Sequence, residues 1–224
     1  MSGCTPRPGA TRCSPRGFTL IELLVVIGII AVLAAAVIGG LGGTDKSTAL
    51  RSAQATVVNL LATARSKALS GGRDVLLLVN HNATDAERFR RMLALVDKDD
   101  VTRIHAVAFL PDGTYVVPYK DRFVPAMIQP GDVWDGDSLT SSALSATVTR
   151  SIQGAVPEIW ESFPVTSEGT TGQPGKVVIT TGRARSPAEA DTGSPLVLVA
   201  PDQVRGVMLS GYGLARMIND RSGF

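Results

Sequence analysis

The chain is predicted to be an α+β protein in which one long N-terminal helix packs on an antiparallel, β-rich globular head. Three observations predict this. Residues 18–43 form an apolar run with a single charge, residues 44–72 repeat apolar side chains at helical spacing, and from residue 73 the pattern changes to short strand-like runs between turn residues.

Residues 1–17 are rich in Pro, Gly, Ser and Arg and show no hydrophobic periodicity. They read as a disordered cytoplasmic leader, with Arg7, Arg12 and Arg16 holding that end inside by the bias of basic residues towards the cytoplasm. The head is then expected on the opposite side of the membrane from the leader. Both cysteines, Cys4 and Cys13, fall in this leader. A chain lacking the leader has no disulfide and no thiolate metal site.

From Phe18 to Gly43 there are twenty-six residues whose only charge is Glu22. As a helix this run is ~39 Å long, and a bilayer needs roughly 20 apolar residues. A carboxylate inside a spanning helix costs about 2.5 to 3.5 kcal/mol on insertion scales, so it needs a partner and a task. An ordinary secretory signal, cut near Ala34-Ala35-Ala36, competes for this stretch, as does a plain signal anchor. Both leave Glu22 without a role, and the apolar run continues past the alanines.

The segment Gly17-Phe18-Thr19-Leu20-Ile21-Glu22-Leu23 resembles the processing signal of type IV pilins and of the pseudopilins of type II secretion. The resemblance implies cleavage between Gly17 and Phe18 by a prepilin peptidase and N-methylation of the new terminal Phe18. It also implies an assembly role for Glu22, whose carboxylate would neutralise the terminal amine of a neighbouring subunit. The physics agrees, since two opposite charges that are each costly in hydrocarbon become tolerable when they meet.

Gly39-Gly40 and Gly42-Gly43 follow, and each glycine costs a helix interior up to ~1 kcal/mol relative to alanine. They either soften the helix into a bend or end its membrane half. Thr44 and Asp45 can cap the next segment, 44–72, in which Leu50, Ala53, Val57, Leu60, Leu61, Ala64 and Ala68 recur on one face. Gly71-Gly72 is a natural stop. The stretch Leu61 to Ala68, the glycines and the run Asp74 to Val79 are similar to the minor pseudopilin H and pilus-assembly minor pilin group.

The head, 73–224, divides into apolar runs. Strands are expected over Val75 to Asn80, Ile104 to Leu110, Tyr115 to Tyr119, Ala146 to Ser151, Glu158 to Val165, Lys176 to Thr181, Leu196 to Ala200, Val204 to Ser210 and Leu214 to Asn219. Phe89 to Asp97 reads as another strand, although Ala86 to Leu95 could begin as a helix. Pro111-Asp112-Gly113-Thr114 is expected to close one hairpin and Gly211-Tyr212-Gly213 another. Residues 121–157 and 181–194 read as long polar excursions. On a strand, Arg88 and Arg90 would point outward and Phe89 inward, and Trp160, Phe163 and Tyr212 read as core.

Little catalytic chemistry is available. No phosphate-binding glycine loop, zinc-protease helix or nucleophile elbow occurs, and His81 and His105 are too few and too far apart in sequence for a histidine metal site. The carboxylates of Lys98-Asp99-Asp100 and of Asp132 to Asp137 are hard-cation ligands by type but match no calcium-loop pattern, and Asp132 to Asp137 reads as a solvated loop with Trp134 turned inward, with calcium binding there as the alternative. Without the leader the chain holds 19 basic against 20 acidic residues, so bulk charge gives no reason to expect nucleic acid as a partner.

The resemblance therefore implies a structural subunit, with no enzymatic activity, metal or cofactor expected. It is expected to be a minor pseudopilin of a type II secretion-type pseudopilus, single-pass in the bacterial inner membrane with a periplasmic head until it assembles. Its implied partners are the prepilin peptidase, other pilin or pseudopilin subunits, the inner-membrane assembly platform and, before assembly, membrane lipid. A minor or major type IV pilin for adhesion, motility or DNA uptake is the alternative within the family. A membrane-anchored binding module that never polymerises is the alternative outside it.

Overall fold

The structure is a computed structural model that describes residues 20–100, 102–136, 138–153, 156–185, 189, 193–199 and 202–224, with the side chains of 31–45 outside the description. The chain separates into two compact units, Met1–Gly42 and Gly43–Phe224. The helix α1 runs over Leu20–Gly71, so the backbone is helical through both glycine pairs and the helix does not end there. Among the described residues no helix is long and apolar enough to cross a membrane. The span expected over Phe18 to Gly43 falls largely on residues whose side chains lie outside the description.

In the second unit the predicted apolar face of α1 is the buried one: Leu50, Ala53, Val57, Leu60, Leu61, Ala64 and Ala68 are all buried. The helix stops because Gly72 takes a left-handed φ of 59° and the Arg73 N–H donates back to the Ala68 carbonyl at 3.4 Å.

Among the described residues ten strands follow: β1 Val75–Asn80, β2 Met92–Asp97, β3 Ile104–Phe109, β4 Thr114–Val116, β5 Ala146–Arg150, β6 Glu158–Val165, β7 Gly175–Ala184, β8 Leu196–Leu198, β9 Val204–Leu209 and β10 Ala215–Ile218. They make two antiparallel sheets, ordered β3-β2-β1-β6-β5 and β10-β9-β7-β4, with β8 paired to β7. The central strand β1 reads VLLLVN and is buried at every position because it has apolar layers on both faces. Leu77 and Val79 join the layer under α1, whereas Leu76 and Leu78 join Met92, Ala94, Ile152 and Trp160 behind the sheet.

Both sheets meet the helix in one core. Leu93, Leu95 and Phe163 of the first sheet and Val177, Ile179, Val207 and Leu209 of the second share it with the α1 face. The outer side of the second sheet is covered by a further layer that includes Tyr115, Met127, Leu139 and Val204.

Three local expectations are corrected. The Pro111–Thr114 turn forms, with the Thr114 N–H donating to the Pro111 carbonyl at 3.1 Å, but it closes no hairpin. β3 pairs with β2 and β4 pairs with β7, so the turn carries the chain from one sheet to the other. Tyr212 is 78 % exposed, because it sits at the tip of the β9–β10 hairpin and no layer covers it. The strand expected from Phe89 starts only at Met92.

One buried polar side chain ties the helix to the second sheet. Gln54 is only 2 % exposed, and its Nε2 donates to the Gly206 carbonyl at 2.7 Å and to the Ile218 carbonyl at 2.8 Å. Replacing it as Gln54→Leu keeps the apolar volume but strands both carbonyls. We expect a loss of about 1–3 kcal/mol, a buried acceptor's desolvation cost, in chemical denaturation followed by tryptophan fluorescence.

Candidate functional site

The residues expected to be processed, Gly17 and Phe18, lie outside the described residues. Glu22 is described, in the first turn of α1, where a carboxylate is favoured by the partial positive charge of the helix N-terminus. Its surroundings are unusual. Leu20, Ile21, Leu23, Leu24, Val25, Val26, Ile27, Ile29 and Ile30 are all exposed, from 47 % for Val26 to 81 % for Leu20. They go all the way round the helix, because consecutive positions 100° apart sample every direction. Soluble proteins do not leave a contiguous surface of this size bare. A helix that is apolar on every side is covered by lipid or by other helices, and Glu22 is the one described charge within that cover.

A second cluster of charge lies inside the head, where sequence reasoning placed none. Glu161 of β6 is fully buried and lies between two arginines: Arg90 Nη1 is 2.8 Å from Oε2 and Arg122 Nε donates to Oε1 at 2.6 Å. Arg90 is itself 0 % exposed and was expected on an outward strand face. The reason for the difference is local. The Asp85 carboxylate accepts from the N–H groups of Glu87 and Arg88, and the Phe89 N–H donates to the Asp85 carbonyl, which winds residues 85–91 into turns. Arg90 then takes a φ of 61° and swings inward. Its Nε donates to the Val116 carbonyl at 2.9 Å, and its backbone is bonded to Asn80 and Val116, so one residue joins β1 to β4. Arg88 also turns inward, to Glu158 at 2.6 Å.

Electrostatics follow from burial and pairing. Burial pushes the Glu161 carboxyl up, but Arg90 and Arg122 outweigh it and hold the group below its ordinary value, so it stays ionised. His81, 3.9 Å from Glu161 and packed on Phe89, is lowered to about 4 by burial and then by the Arg90 charge. It is therefore neutral at physiological pH. Its bonds run to sheet strands and to the Leu144 carbonyl, which Arg122 Nη2 also meets. It is a clamp between the two sheets.

The other candidates are structural as well. His105 Nε2 lies 2.6 Å from Asp97 Oδ1. Asp100 accepts from the Thr102 N–H and hydroxyl, and Asp135 accepts from Ser138 in the same way. Trp134 stacks on Phe123 at 5.8 Å and donates to the Leu139 carbonyl. Among the described residues no group of three His, Cys, Asp or Glu side chains could hold a metal ion.

Removing one member of the clamp should cost far more than removing it whole. Arg90→Met leaves Glu161 half-paired and is expected to lose about 3–5 kcal/mol in denaturant titrations, whereas Arg90→Met, Glu161→Leu and Arg122→Met together should lose less than the single change. A pH dependence follows from His81. Its folded-state value near 4 lies below the ordinary 6.5, so between these the unfolded chain binds more protons and stability rises with pH. Thermal melts from pH 4 to 7 should show this slope, and His81→Gln should flatten it.

Residues 12–38 match a protein family described as the prokaryotic N-terminal methylation motif. The chain is similar in structure to the type IV minor pilin FimU of Pseudomonas aeruginosa strain PAO1, at 14 % identity, 77 % coverage of this chain, 90 % of that one and a TM-score of 0.40. It is similar also to the minor pseudopilin EpsH from the Type 2 Secretion System of Vibrio cholerae, at 11 % identity, 76 % and 96 % coverage and a TM-score of 0.38. No curated protein sequence matches it.

Proposed function

We propose that this chain is a pilin-like structural subunit, a minor pseudopilin of a type II secretion-type pseudopilus, matured by cleavage between Gly17 and Phe18. The observation that carries the reading is the exposed apolar surface around Glu22, inside the stretch that matches the methylation motif. Residues 1–17 are the leader, 18–43 the membrane and filament-core helix, 44–72 the amphipathic half and 73–224 the periplasmic head.

Each part of the sequence has a physical task in this reading. Before cleavage the apolar helix holds the protein in the inner membrane. Cleavage creates a terminal amine at Phe18, four residues before Glu22 and about one helical turn away. An amine and a carboxylate at the same depth on neighbouring helices cancel the cost each has in an apolar surround, and this register alone brings the two together. Methylation of Phe18 keeps the positive charge. The apolar surface then exchanges lipid for neighbouring subunits. Energy for that extraction is supplied by other proteins, and the head keeps its fold throughout because its core is complete within residues 43–224.

The test is to co-express the chain with a prepilin peptidase and determine the mature N-terminus by mass spectrometry. A product that begins at N-methylated Phe18 is expected, and one that begins at Met1 or beyond Ala36 overturns the reading. Gly17→Asp should leave the precursor uncut. Glu22→Val should be cut normally but lose at least about tenfold in crosslinking to neighbouring subunits, the equivalent of the roughly 1.4 kcal/mol that a poorly matched charge easily exceeds.

A further inference from the structure

The first sheet is curled until its two end strands share one apolar layer. β3 and β5 are its outermost members, yet Val107 of β3 and Val148 of β5 both pack against the buried residues Leu76, Leu78, Met92 and Trp160 behind it. Where the start of β3 meets the end of β5 the curl does not close. Thr102, Ile104, Thr149, Arg150, Ser151 and Pro157 line an open cleft of about 620 Å³ there, and Arg150 Nη2 reaches the Lys98 carbonyl at 3.4 Å.

Both walls are free strand edges. Among the described residues β3 pairs only with β2 and β5 only with β6, which leaves their outer N–H and C=O groups open to a further strand. Native sheets usually protect such edges with charge or proline, as β5 and β10 do with Arg150 and Arg216. β3 has neither. Its six residues IHAVAF include no Lys, Arg, Asp, Glu or Pro, His105 is engaged with Asp97 of β2 at 2.6 Å, and Ile104 and Phe109 are 40 % and 50 % exposed.

Topology fixes how a further strand would run. β2 and β6 are each antiparallel to β1, and β3 and β5 are antiparallel to those, so both walls run in the sense of β1. One strand of the opposite sense is therefore antiparallel to both. Charge indicates what that strand carries. Arg150 is half-buried, its bonds run to the Thr149 and Lys98 carbonyls, and its Nε is buried without a hydrogen-bond partner. The neighbouring cations are already matched, Lys98 by Asp74 and Arg103 by Asp97 and Asp100, whereas Arg150 has no ion pair among the described residues.

We infer that the cleft between β3 and β5 docks an extended segment of a different polypeptide, with apolar residues at alternate positions and a carboxylate that meets Arg150. The backbone of the segment takes up the open edges, and its alternate side chains extend the layer of Val107 and Val148. A second copy of this chain is the poorer occupant, because none of the strands at the sheet ends, β3, β4, β5 and β10, contains Asp or Glu. The site lies wholly within the head and does not depend on processing of the N-terminus.

The test pans the full chain, purified in a neutral detergent, against a displayed library of random peptides of about eight residues, within the usual range of strand lengths. Enriched peptides should alternate apolar residues around one Asp or Glu. The strongest binder, made synthetically, should slow hydrogen exchange of amides in both β3 and β5, and N-methylation of its alternate amides should abolish binding. Arg150→Glu should weaken binding at least about tenfold, and replacing the acidic residue of the peptide by lysine should restore it to that variant, which a misfolded protein could not do. The inference is overturned if no peptide is enriched, if the enriched peptides lack an acidic residue, if protection falls outside β3 and β5, or if the lysine peptide does not rescue the variant. Protection of β3 that grows with protein concentration in the absence of peptide indicates pairing between copies and overturns it as well.

Discussion

The head depends on one apolar seam. A single face of α1, seven residues from Leu50 to Ala68, is the surface against which both sheets pack. Alanines at 53, 64 and 68 let the strands approach closely, and the leucines and valines between them fill the space left between Leu77, Leu95, Val177 and Val207. Each sheet is buried on one side by that helix, so neither has a reason to be flat or closed without it. Gln54 adds direction to an otherwise non-directional contact. Its two bonds reach β9 and β10 and fix where along the second sheet the helix lies.

The seam also leaves the two sheets to be joined at their far sides, and there the protein uses charge. Arg90, Glu161 and Arg122 come from a turn, a strand and a short 3-10 segment at Lys120–Arg122 that are distant in sequence. A buried pair of this kind is weak evidence for net stability, because its desolvation cost offsets its attraction. Its contribution is selection of one arrangement. With β4 hydrogen-bonded to Arg90 and Glu161 paired on β6, the chain crossing at residues 110–114 has one place to go.

The helix α1 presents two contrasting surfaces along its length. Around Glu22 the surface is apolar on all sides, and along the outward side of α1 from residue 46 it is polar and positive. Both stretches are helical, and what differs is the solvent each is built to meet. The sequence carries this contrast openly, since hydrophobicity without periodicity and hydrophobicity with a 3.6-residue period are distinct patterns.

What the sequence determined by itself is accordingly the helix, its buried face, its stop at Gly71-Gly72, most strand positions and the N-terminal motif, because all of these depend on neighbouring residues or a short repeat. β1 and β6 were legible to the residue. Pairing was not. A turn sequence such as Pro111–Thr114 fixes a local reversal, but whether its flanking strands pair depends on which edges are open elsewhere, and here β2 and β7 took them. Burial of charge was equally hidden. Arg90 looks like a surface residue until the Asp85-capped turn aims it at Glu161, seventy-one positions away. Only the tertiary structure could decide that, because the free energy of a buried charge is set by the partner that arrives beside it.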